Sequence, residues 1–519
     1  MTDTNGYSSK WTPALSVPWA SDPGRMETSL ADLIIYGEIP KEIDGTFYRI
    51  MADPFYPPSP ENSMPIEGDG HVSAFRIHNG QVDMKTKYVE TERLKLERQA
   101  NRRLFGLYRN PFTHHPCVRA AVDSTANTNM VYWAGRLLAL KEVALPYEID
   151  TIGYDPFAGQ VVASKTFTAH PKVDPYTDEL VVFGYEATGL ASLDVVIYAL
   201  DREGGKRDEQ WIKLPYCAMV HDCAITPNFI ILVLWPFEAD LERLRAGKHH
   251  WAWNPNRPAS FIVVPRRPGK YLPRGWGEGE SRVYEWENCI ALHTAGAWEE
   301  ENEQEGGGVV LYMESSRVFD NELPFFAPVD GAPPPPTGKA DFVRWKLDLN
   351  APTGSQIPAP QVILDVASEF PRIDERFMTR PYTHVFLGVV LGNPGPGVIP
   401  SLNGLAMVNT ETGKTVFYNP GDDCHVEEPV FIPRQRDAPQ GDGWVLTMVE
   451  RKATNRSDLV LLDTRDFSRP AALIRLPYRI RSQIHGNWAA GEQLGERRSL
   501  VRELGDVRVS GRGALEVEV

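Results

Sequence analysis

The sequence has 519 residues, of which 42% are hydrophobic and 24% are charged, as in an ordinary globular protein. Its 54 basic and 69 acidic residues give a formal net charge of −15, which argues against a nucleic-acid partner because a basic face supplies most of that affinity. The same excess of acidic residues gives no basic stripe that would bind an anionic lipid surface.

The N-terminal residues 1–22 lack a basic region followed by an apolar run, so we expect no secretory signal. The longest apolar run, residues 229–237 (FIILVLWPF), is too short to span a bilayer and predicts a buried strand. The five cysteines are odd in number and form no CxxC pair, which argues against a disulfide framework or a thiolate zinc site. We therefore expect a reduced, cytoplasmic protein without a transmembrane segment.

Helical periodicity is scarce along the chain. Residues 94–104 and 237–248 are the two predicted helices, the second because ADLERLRAGK contains helix-forming residues and a terminal glycine. Four other segments share one pattern, in which a strand ends in Asp or Asn and a turn leads to a second strand, as in a β-hairpin. They are residues 147–157, 197–215, 405–419 and 459–477.

Recurrence of one hairpin type over a long chain predicts an all-β fold of repeated four-stranded blades, hence a propeller. A large β-sandwich or a β-helix is the alternative. No shift in composition divides the chain, so we expect one domain over residues 1–519. Its long loops include residues 299–308 and 330–339, and its first fifty and last thirty residues wrap around or close the barrel.

Four of the twelve histidines stand in distinctive settings: His170 in FTAHPKVDP, His221 before the most apolar strand, His293 in ENCIALHTAG and His485 in RSQIHGNW. None belongs to an HExxH pair, which would place two zinc ligands on one helix. Their wide spacing is what a propeller gives when ligands come from the inner strands of different blades. Spacing alone is also compatible with surface or core histidines.

The segments HPKVDP with ELVVFGYE, MVHDCAITPNFIILV and IHGNW, in that order, resemble the carotenoid cleavage oxygenase family, as do the earlier IDGTFYRI and GDGHVSAFRI. The resemblance implies a seven-bladed β-propeller with a helical cap over a metal site. It also implies one Fe(II) per chain, held by His170, His221, His293 and His485, with O2 as co-substrate. The motif around His293 departs most from the family pattern. Imidazole suits Fe(II), and four nitrogens leave coordination positions open.

The same resemblance places three glutamates behind the histidines: Glu142 in ALKEVALP, Glu369 in ASEFPRID and Glu428 in HVEEPVF. Carboxylates in this position accept the second ring N–H of a ligating histidine. Glu427 competes with Glu428 for the third role, and the proline that follows Glu428 favours Glu428. Exposed surface carboxylates are the plain alternative for all three.

Lys141 stands directly before Glu142, where carotenoid-cleaving members of the family usually have an apolar residue. With Tyr108 and Thr128 it resembles the lignostilbene dioxygenase branch, whose enzymes cleave 4-hydroxylated aromatic olefins. There the tyrosine and lysine contact the phenol oxygen, and the threonine crowds one coordination position of the iron. A lysine that snorkels to solvent and a structural tyrosine are the alternative.

The resemblance therefore implies a dioxygenase that cleaves resveratrol-type stilbenes, or phenylpropenoids such as isoeugenol and 4-vinylguaiacol, into aromatic aldehydes such as vanillin. A phenol that loses its proton pushes electron density onto the alkene, and a lysine of lowered pKa can take that proton. An apocarotenoid or carotenoid cleavage oxygenase is the alternative enzyme, and a propeller that serves as an interaction scaffold is the non-enzymatic one.

Overall fold

The structure, a computed structural model, describes residues 23–57, 64, 66–142, 144–149, 164–301, 308–319, 323, 326–331, 339–392, 401–482 and 484–494, with the backbone of two short strands beyond them. Short β-strands dominate, and seven sheets contain three or more of them. We name these sheets A to G.

Each sheet takes its strands from one to three stretches of the chain. Sheet A contains Thr28–Leu30, Gly45–Asp53, Asp69–His78, Gln81–Tyr88 and His485–Ala490; sheet B contains Asn129–Trp133, Arg136–Leu140 and Tyr147–Glu148; sheet C contains Lys172–Asp174, Glu179–Tyr185, Asp194–Leu200 and Lys206–Lys213. Sheet D contains Ala218–Met219, Cys223–Ile225, Phe229–Ala239, Trp251–Trp253, Ala259–Pro265, Arg282–Trp286 and Ser355–Gln356; sheet E contains Ile290–Glu301, Val309–Val318, Ala340–Asp348 and Gln361–Leu364. Sheet F contains Ser368–Ile373, His384–Val389, Gly404–Asn409 and Thr415–Tyr418; sheet G contains Ile34–Gly37, Cys424–Val426, Val430–Pro433, Gly443–Arg451, Arg456–Asp463 and Pro470–Arg475. A separate pair is formed by Arg508–Val509 and Leu515–Glu516.

The sheets follow one another in a ring. An inner strand of each sheet contacts an inner strand of the next from C through D, E, F and G to A, and from A to B. Asn129 of sheet B closes the remaining step, because its side-chain amide donates to the carbonyl of Ala169, just before sheet C, across 2.8 Å. This ring confirms the β-propeller and excludes the sandwich and the β-helix.

The predicted number of seven four-stranded blades is wrong by one for the described residues. Sheets A, C, D, E, F and G have four or more strands, whereas sheet B has three. The third strand of sheet B pairs over only two residues, and the chain that follows, residues 150–163, lies outside the described residues. The predicted hairpin at 147–157 falls largely in that segment.

The other three predicted hairpins are present, and each begins with a side-chain turn, at Asp201, Asn409 and Asp463. Asp201 accepts hydrogen bonds from the backbone N–H groups of Glu203 and Gly205. Asn409 accepts in the same way from Glu411 and Thr412. Such local acceptors favour a turn over continued strand, which is why Asp or Asn ends each strand in the sequence.

The apolar run predicted as a buried strand is Phe229–Ala239, in which Phe229–Phe237 are all buried. It forms the middle of sheet D, between Cys223–Ile225 and Ala259–Pro265. Both chain ends also take part in the ring, since His485–Ala490 pairs with Gly45–Asp53 and Ile34–Gly37 pairs with Pro470–Arg475.

The two predicted helices exist but are shorter than expected. The first spans Glu92–Ala100, between an N-cap at Thr91 and a left-handed residue at Asn101. The second spans only Leu241–Arg245, because residues 237–239 continue the preceding strand and Asp240 caps the helix. Short 3₁₀ turns occur at Pro111–Thr113, Pro116–Val118, Glu375–Phe377, Lys452–Thr454, Thr464–Asp466 and Gly491–Gln493.

All five cysteines are free thiols, as predicted. Among the described residues, the helices are too short or too polar to cross a membrane.

Candidate metal centre

The four histidines singled out in the sequence lie together at the inner edges of four different sheets. His170 lies two residues before sheet C, His221 lies between two strands of sheet D, His293 lies in sheet E and His485 begins the last strand of sheet A. One nitrogen from each ring falls within 4.8 Å of the others, although the residues are far apart in sequence. The register of sheet E shifts on both sides of Thr294, so His293 lies in an irregular part of its strand.

The ring nitrogens that face one another are set for a shared cation. Nε2 of His221 lies 3.1 Å from Nε2 of His170 and 2.9 Å from Nε2 of His293. Two imidazole nitrogens bound to one metal at about 2.1 Å and at right angles are about 3 Å apart. Nε2 of His485 is buried and has no hydrogen-bond partner among the described residues. A metal ion bound among the four rings would supply that partner and remove the repulsion between the facing lone pairs.

Three of the four rings are held from behind by glutamates. Nδ1 of His221 contacts Glu142, Nδ1 of His293 lies 2.7 Å from Glu369, and Nδ1 of His485 lies 3.2 Å from Glu428. These side chains are the three glutamates named in the sequence, Glu142, Glu369 and Glu428. An Nδ1–H that donates to a carboxylate leaves Nε2 unprotonated, which is the tautomer that binds a metal.

Glu427 has a different partner from its neighbour Glu428. It forms a buried ion pair with Arg49, whose Nη2 lies 2.9 Å from its carboxylate. Glu428 also accepts the backbone N–H of Gly486 at 2.8 Å, beside the histidine that it holds. The two adjacent glutamates therefore hold neighbouring strands of sheet A, in which Arg49 is paired with Gly486.

Burial and neighbouring charges shift the pKa values of the clustered histidines. They favour the neutral, metal-binding form of His170 and His485, whereas His293 lies beside the counter-charge of Glu369. Burial and the neighbouring histidines lower the pKa of His170 well below its usual value, and burial also lowers that of His485 despite Glu428. At His293 burial acts in the same direction, but the charge and hydrogen bond of Glu369 outweigh it and raise the pKa. Glu428 itself has its pKa lowered to about 2, because His485 and Arg372 outweigh its burial.

Asp222 ties three of the ligand-bearing segments together. Its carboxylate forms an ion pair of 2.8 Å with Lys172 and accepts the backbone N–H of Thr294 at 2.8 Å. Lys172 lies two residues after His170. Asp222 directly follows His221, and Thr294 directly follows His293. Nothing in the sequence singled out Asp222 beyond its place after His221.

Phe370 is another residue that the sequence did not reveal. Its ring stacks on His293 at 5.2 Å and meets the edge of His485 at 5.4 Å between ring centroids. Its backbone adopts a left-handed conformation with φ of 55°, which is unfavourable for a side chain of this size. The strain places an aromatic wall against two of the four histidines.

Tyr108, Thr128 and Lys141 are all buried, with exposed fractions of 8%, 6% and 7%. The Lys141 Nζ lies 4.7 Å from the centre of the Tyr108 ring and 3.0 Å from Oδ1 of Asn127. Burial lowers the pKa of Lys141 to about 8, although the adjacent Glu142 opposes this shift. The lysine and tyrosine are therefore neighbours beside the glutamate that holds His221.

A cavity of about 700 Å³ reaches the histidine cluster, where it is lined by His170, His293 and His485. Its walls are rich in polar groups, including Arg372 and Asn487. Tyr108, Thr128 and Lys141 do not line this cavity. The cluster thus has a polar approach that is separate from the lysine–tyrosine pair.

Comparison with known proteins agrees with this geometry. Residues 22–490 match the family model described as Retinal pigment epithelial membrane protein. Resveratrol cleavage oxygenase 1 of Botryotinia fuckeliana is 60% identical over 517 residues, which cover 98% of this chain and 92% of that protein. Isoeugenol monooxygenase of Pseudomonas putida is 36% identical over 482 residues, or 90% and 96% of the two chains.

The crystal structure of Pseudomonas brassicacearum lignostilbene dioxygenase superimposes with a TM-score of 0.84 at 38% identity, covering 92% of this chain and 99% of that one. Together with the family match over most of the chain, this likeness decides the assignment. The protein belongs to the Retinal pigment epithelial membrane protein family, that of the carotenoid cleavage oxygenases.

Proposed function

We propose that this protein is a non-haem Fe(II) dioxygenase that uses O2 to cleave the C=C bond of a 4-hydroxylated stilbene or phenylpropenoid into aromatic aldehydes. The observation that carries the proposal is the buried pair of Lys141 and Tyr108, with Nζ 4.7 Å from the ring centre, beside Glu142. A polyene without a phenol has no use for a buried amine of lowered pKa. The named relatives act on resveratrol and isoeugenol, both of which are 4-hydroxyphenyl alkenes.

The donor set fits one iron per chain. His170, His221, His293 and His485 would hold the ion through Nε2, because three of the Nδ1 atoms face glutamates and Nε2 of His485 is otherwise orphaned. Four neutral imidazoles suit Fe(II) and leave coordination positions open. Bound Fe(II) would supply the activation of O2 for its reaction with the alkene. In this proposal Thr128 restricts one of the open positions.

Tyr108 and Lys141 act on the substrate phenol. The tyrosine hydroxyl and the lysine Nζ would bind the para oxygen, and the neutral amine would take its proton. A pKa of about 8 leaves part of the lysine population neutral near pH 7, so it can act as a base without a large energetic cost. The resulting phenolate pushes electron density through the ring onto the double bond.

The cap is part of the same proposal. The helix Glu92–Ala100 and two 3₁₀ turns lie between sheets A and B, in the chain segment that contains Tyr108. Asn110 joins this segment to the second helix, because its amide donates to the carbonyls of Leu244 and Lys248. We suggest that the joined segments cover the phenol end of the substrate, and that sheet B fills the seventh blade position.

A substrate panel tests the proposal and separates it from the carotenoid alternative. Iron-loaded protein is incubated in air with resveratrol, isoeugenol, 4-vinylguaiacol and a β-apocarotenal, and the aldehydes are identified. We expect 4-hydroxybenzaldehyde or vanillin from the phenols and no cleavage of the polyene. Cleavage of the apocarotenal alone would favour the carotenoid oxygenase, and labelled O2 would show whether both oxygens enter the products.

A further inference from the structure

Asn127 is fully buried and its amide orientation is fixed by its neighbours. Nδ2 donates to the carbonyl oxygens of Ile66 at 2.9 Å and Gly68 at 2.7 Å. Carbonyl oxygens can only accept hydrogen bonds, so the nitrogen of the amide must face them and the oxygen must face the other way. The side chain is therefore held as a one-sided acceptor.

That oxygen serves two residues of the proposed substrate site. Oδ1 accepts a hydrogen bond from the Lys141 Nζ at 3.0 Å and from the Thr128 hydroxyl at 3.1 Å. One neutral atom thus fixes both the amine that is to meet the phenol and the hydroxyl rotamer of the threonine. A bonded hydroxyl also decides where the threonine methyl group points.

We propose that Asn127 is a positioning residue that turns the lone pair of the Lys141 amine toward the substrate phenol. A neutral amine has two N–H groups and one lone pair, and only an N–H can meet the Asn127 oxygen. The lone pair is thereby kept off the amide side and left for the phenol proton. This inference rests on the proposed function, and the proton passes from the phenol oxygen to Nζ to give a phenolate and an ammonium.

The charge of the amide matters as well as its direction. The charged groups that act most strongly on Lys141 are Glu142, Asp123 and Glu67, which favour its ammonium form, and Arg93, which opposes it. Burial outweighs the three carboxylates, and a neutral residue at position 127 preserves this balance. A fourth carboxylate, about 3 Å from Nζ, would stabilise the ammonium and remove the base.

Two substitutions test these two properties separately. Asn127→Ser removes the acceptor, because serine is too short to reach Nζ, and should lower kcat on a 4-hydroxystilbene by about tenfold to a hundredfold with little change in KM. Asn127→Asp, when ionised, keeps an acceptor and adds charge beside Nζ while losing the hydrogen bonds to the carbonyls of Ile66 and Gly68, so the rising limb of kcat/KM against pH should move to higher pH by about one to two units. Bound iron should be unchanged in both variants.

Asn288→Asp is the matched control. Its amide also donates to two backbone carbonyls, those of Asn254 and Arg257, and it follows a strand of sheet D away from Lys141. The control should keep the pH profile of the unmodified enzyme. If Asn127→Asp does not fold, the kcat and KM of Asn127→Ser decide the question.

Three results would overturn the inference: unchanged kcat in Asn127→Ser, an unchanged pH limb in folded Asn127→Asp with an ionised carboxylate, or a loss of iron that accounts for the loss of rate. Cleavage by the unmodified enzyme distinguishes a failure of this inference from a failure of the proposed function. If it cleaves 4-hydroxystilbenes while the variants behave as it does, only the role of Asn127 is wrong. If it cleaves none, the proposed function fails first.

Discussion

The hydroxyl of Tyr185 donates a hydrogen bond of 2.7 Å to Glu142, the same carboxylate that accepts Nδ1 of His221. A tyrosine of sheet C is thus linked through one glutamate to a histidine of sheet D. The hydrogen bond orients the glutamate and, through it, the imidazole that faces the metal site. The contact extends the support of the site one residue beyond the glutamates.

We expect Tyr185→Phe to weaken iron retention by about tenfold, the lower end of the range for residues that support a ligand. Tyr198→Phe is the control, because Tyr198 is buried in the same sheet and its hydroxyl has no partner among the described residues. Iron content after dialysis against a chelator measures the effect. Equal retention in the two variants would remove Tyr185 from the site.

Glu427 and Glu428 offer a matched pair of substitutions that tests which glutamate supports the metal centre. Glu428→Gln should weaken iron retention by about 10–100-fold, because Gln cannot offer His485 a charged acceptor. Glu427→Gln should leave iron bound but lower the thermal stability, since it leaves the buried Arg49 without its carboxylate. Metal analysis and a melting curve separate the two effects, and iron loss in Glu427→Gln alone would reverse our assignment.

The histidines themselves should be indispensable. Replacement of His170, His221, His293 or His485 by Ala should abolish turnover and lower the iron content. His293 is the informative case, because its sequence motif departs most from the family pattern although its ring lies within the cluster. Full activity in His293→Ala would exclude it as a ligand.

Lys141 and Tyr108 should affect the rate of cleavage and not the binding of iron. Lys141→Met and Tyr108→Phe should each slow cleavage of a 4-hydroxystilbene by about 10²–10⁴-fold, the range for acid–base catalysis. The loss should appear in kcat more than in KM, because the contacts strengthen as charge develops on the phenol oxygen. Their iron content should stay normal, and a parallel loss of iron would indicate a structural role instead.

A buried network formed by Glu186, Arg109 and His250 should control acid stability. Arg109 and His250 outweigh the burial of Glu186 and hold its pKa at about 2, below the ordinary value of 4.5. A carboxyl group with a lowered pKa stabilises the folded state above its ordinary pKa, and this stability is lost as the pH falls from about 4.5 toward 2.

Glu186→Gln should therefore destabilise the protein by about 3–5 kcal/mol near pH 7 and by less at pH 3. Glu203→Gln, on an exposed turn, is the control and should change neither value. Denaturant unfolding at both pH values measures the difference. An effect of Glu186→Gln that does not depend on pH would contradict the assigned pKa.

Much of the architecture could be predicted from local chemistry. Asp201 and Asn409 end their strands because their side chains capture the next backbone N–H groups, and this signal lies in a few adjacent residues. The number of blades could not be predicted in this way, because it depends on how sheets meet around the ring. The single domain over residues 1–519 and a cytoplasmic location stay predictions.

The candidate site likewise contains residues that could be predicted from the sequence and residues that could not. The histidines and glutamates were predicted because their motifs resemble those of the carotenoid cleavage oxygenase family, whereas their grouping in space is a property of the inner strands. Asp222, Phe370 and Asn127 were not predicted, because their partners are far away in sequence and their residue types are common in turns and cores. The role proposed for Asn127 depends on the backbone carbonyls of Ile66 and Gly68, which fix the orientation of its amide.

The central claim is that a phenol proton is needed for cleavage. It is tested most directly by the rates at which the iron-loaded enzyme cleaves a 4-hydroxystilbene and its 4-methoxy ether, measured at the same pH and O2 concentration. We predict rapid cleavage of the phenol and a rate for the ether that is lower by about 10²-fold or more. Cleavage of the ether at the same rate as the phenol would show that Lys141 and Tyr108 do not act on a phenol proton, and would contradict the account.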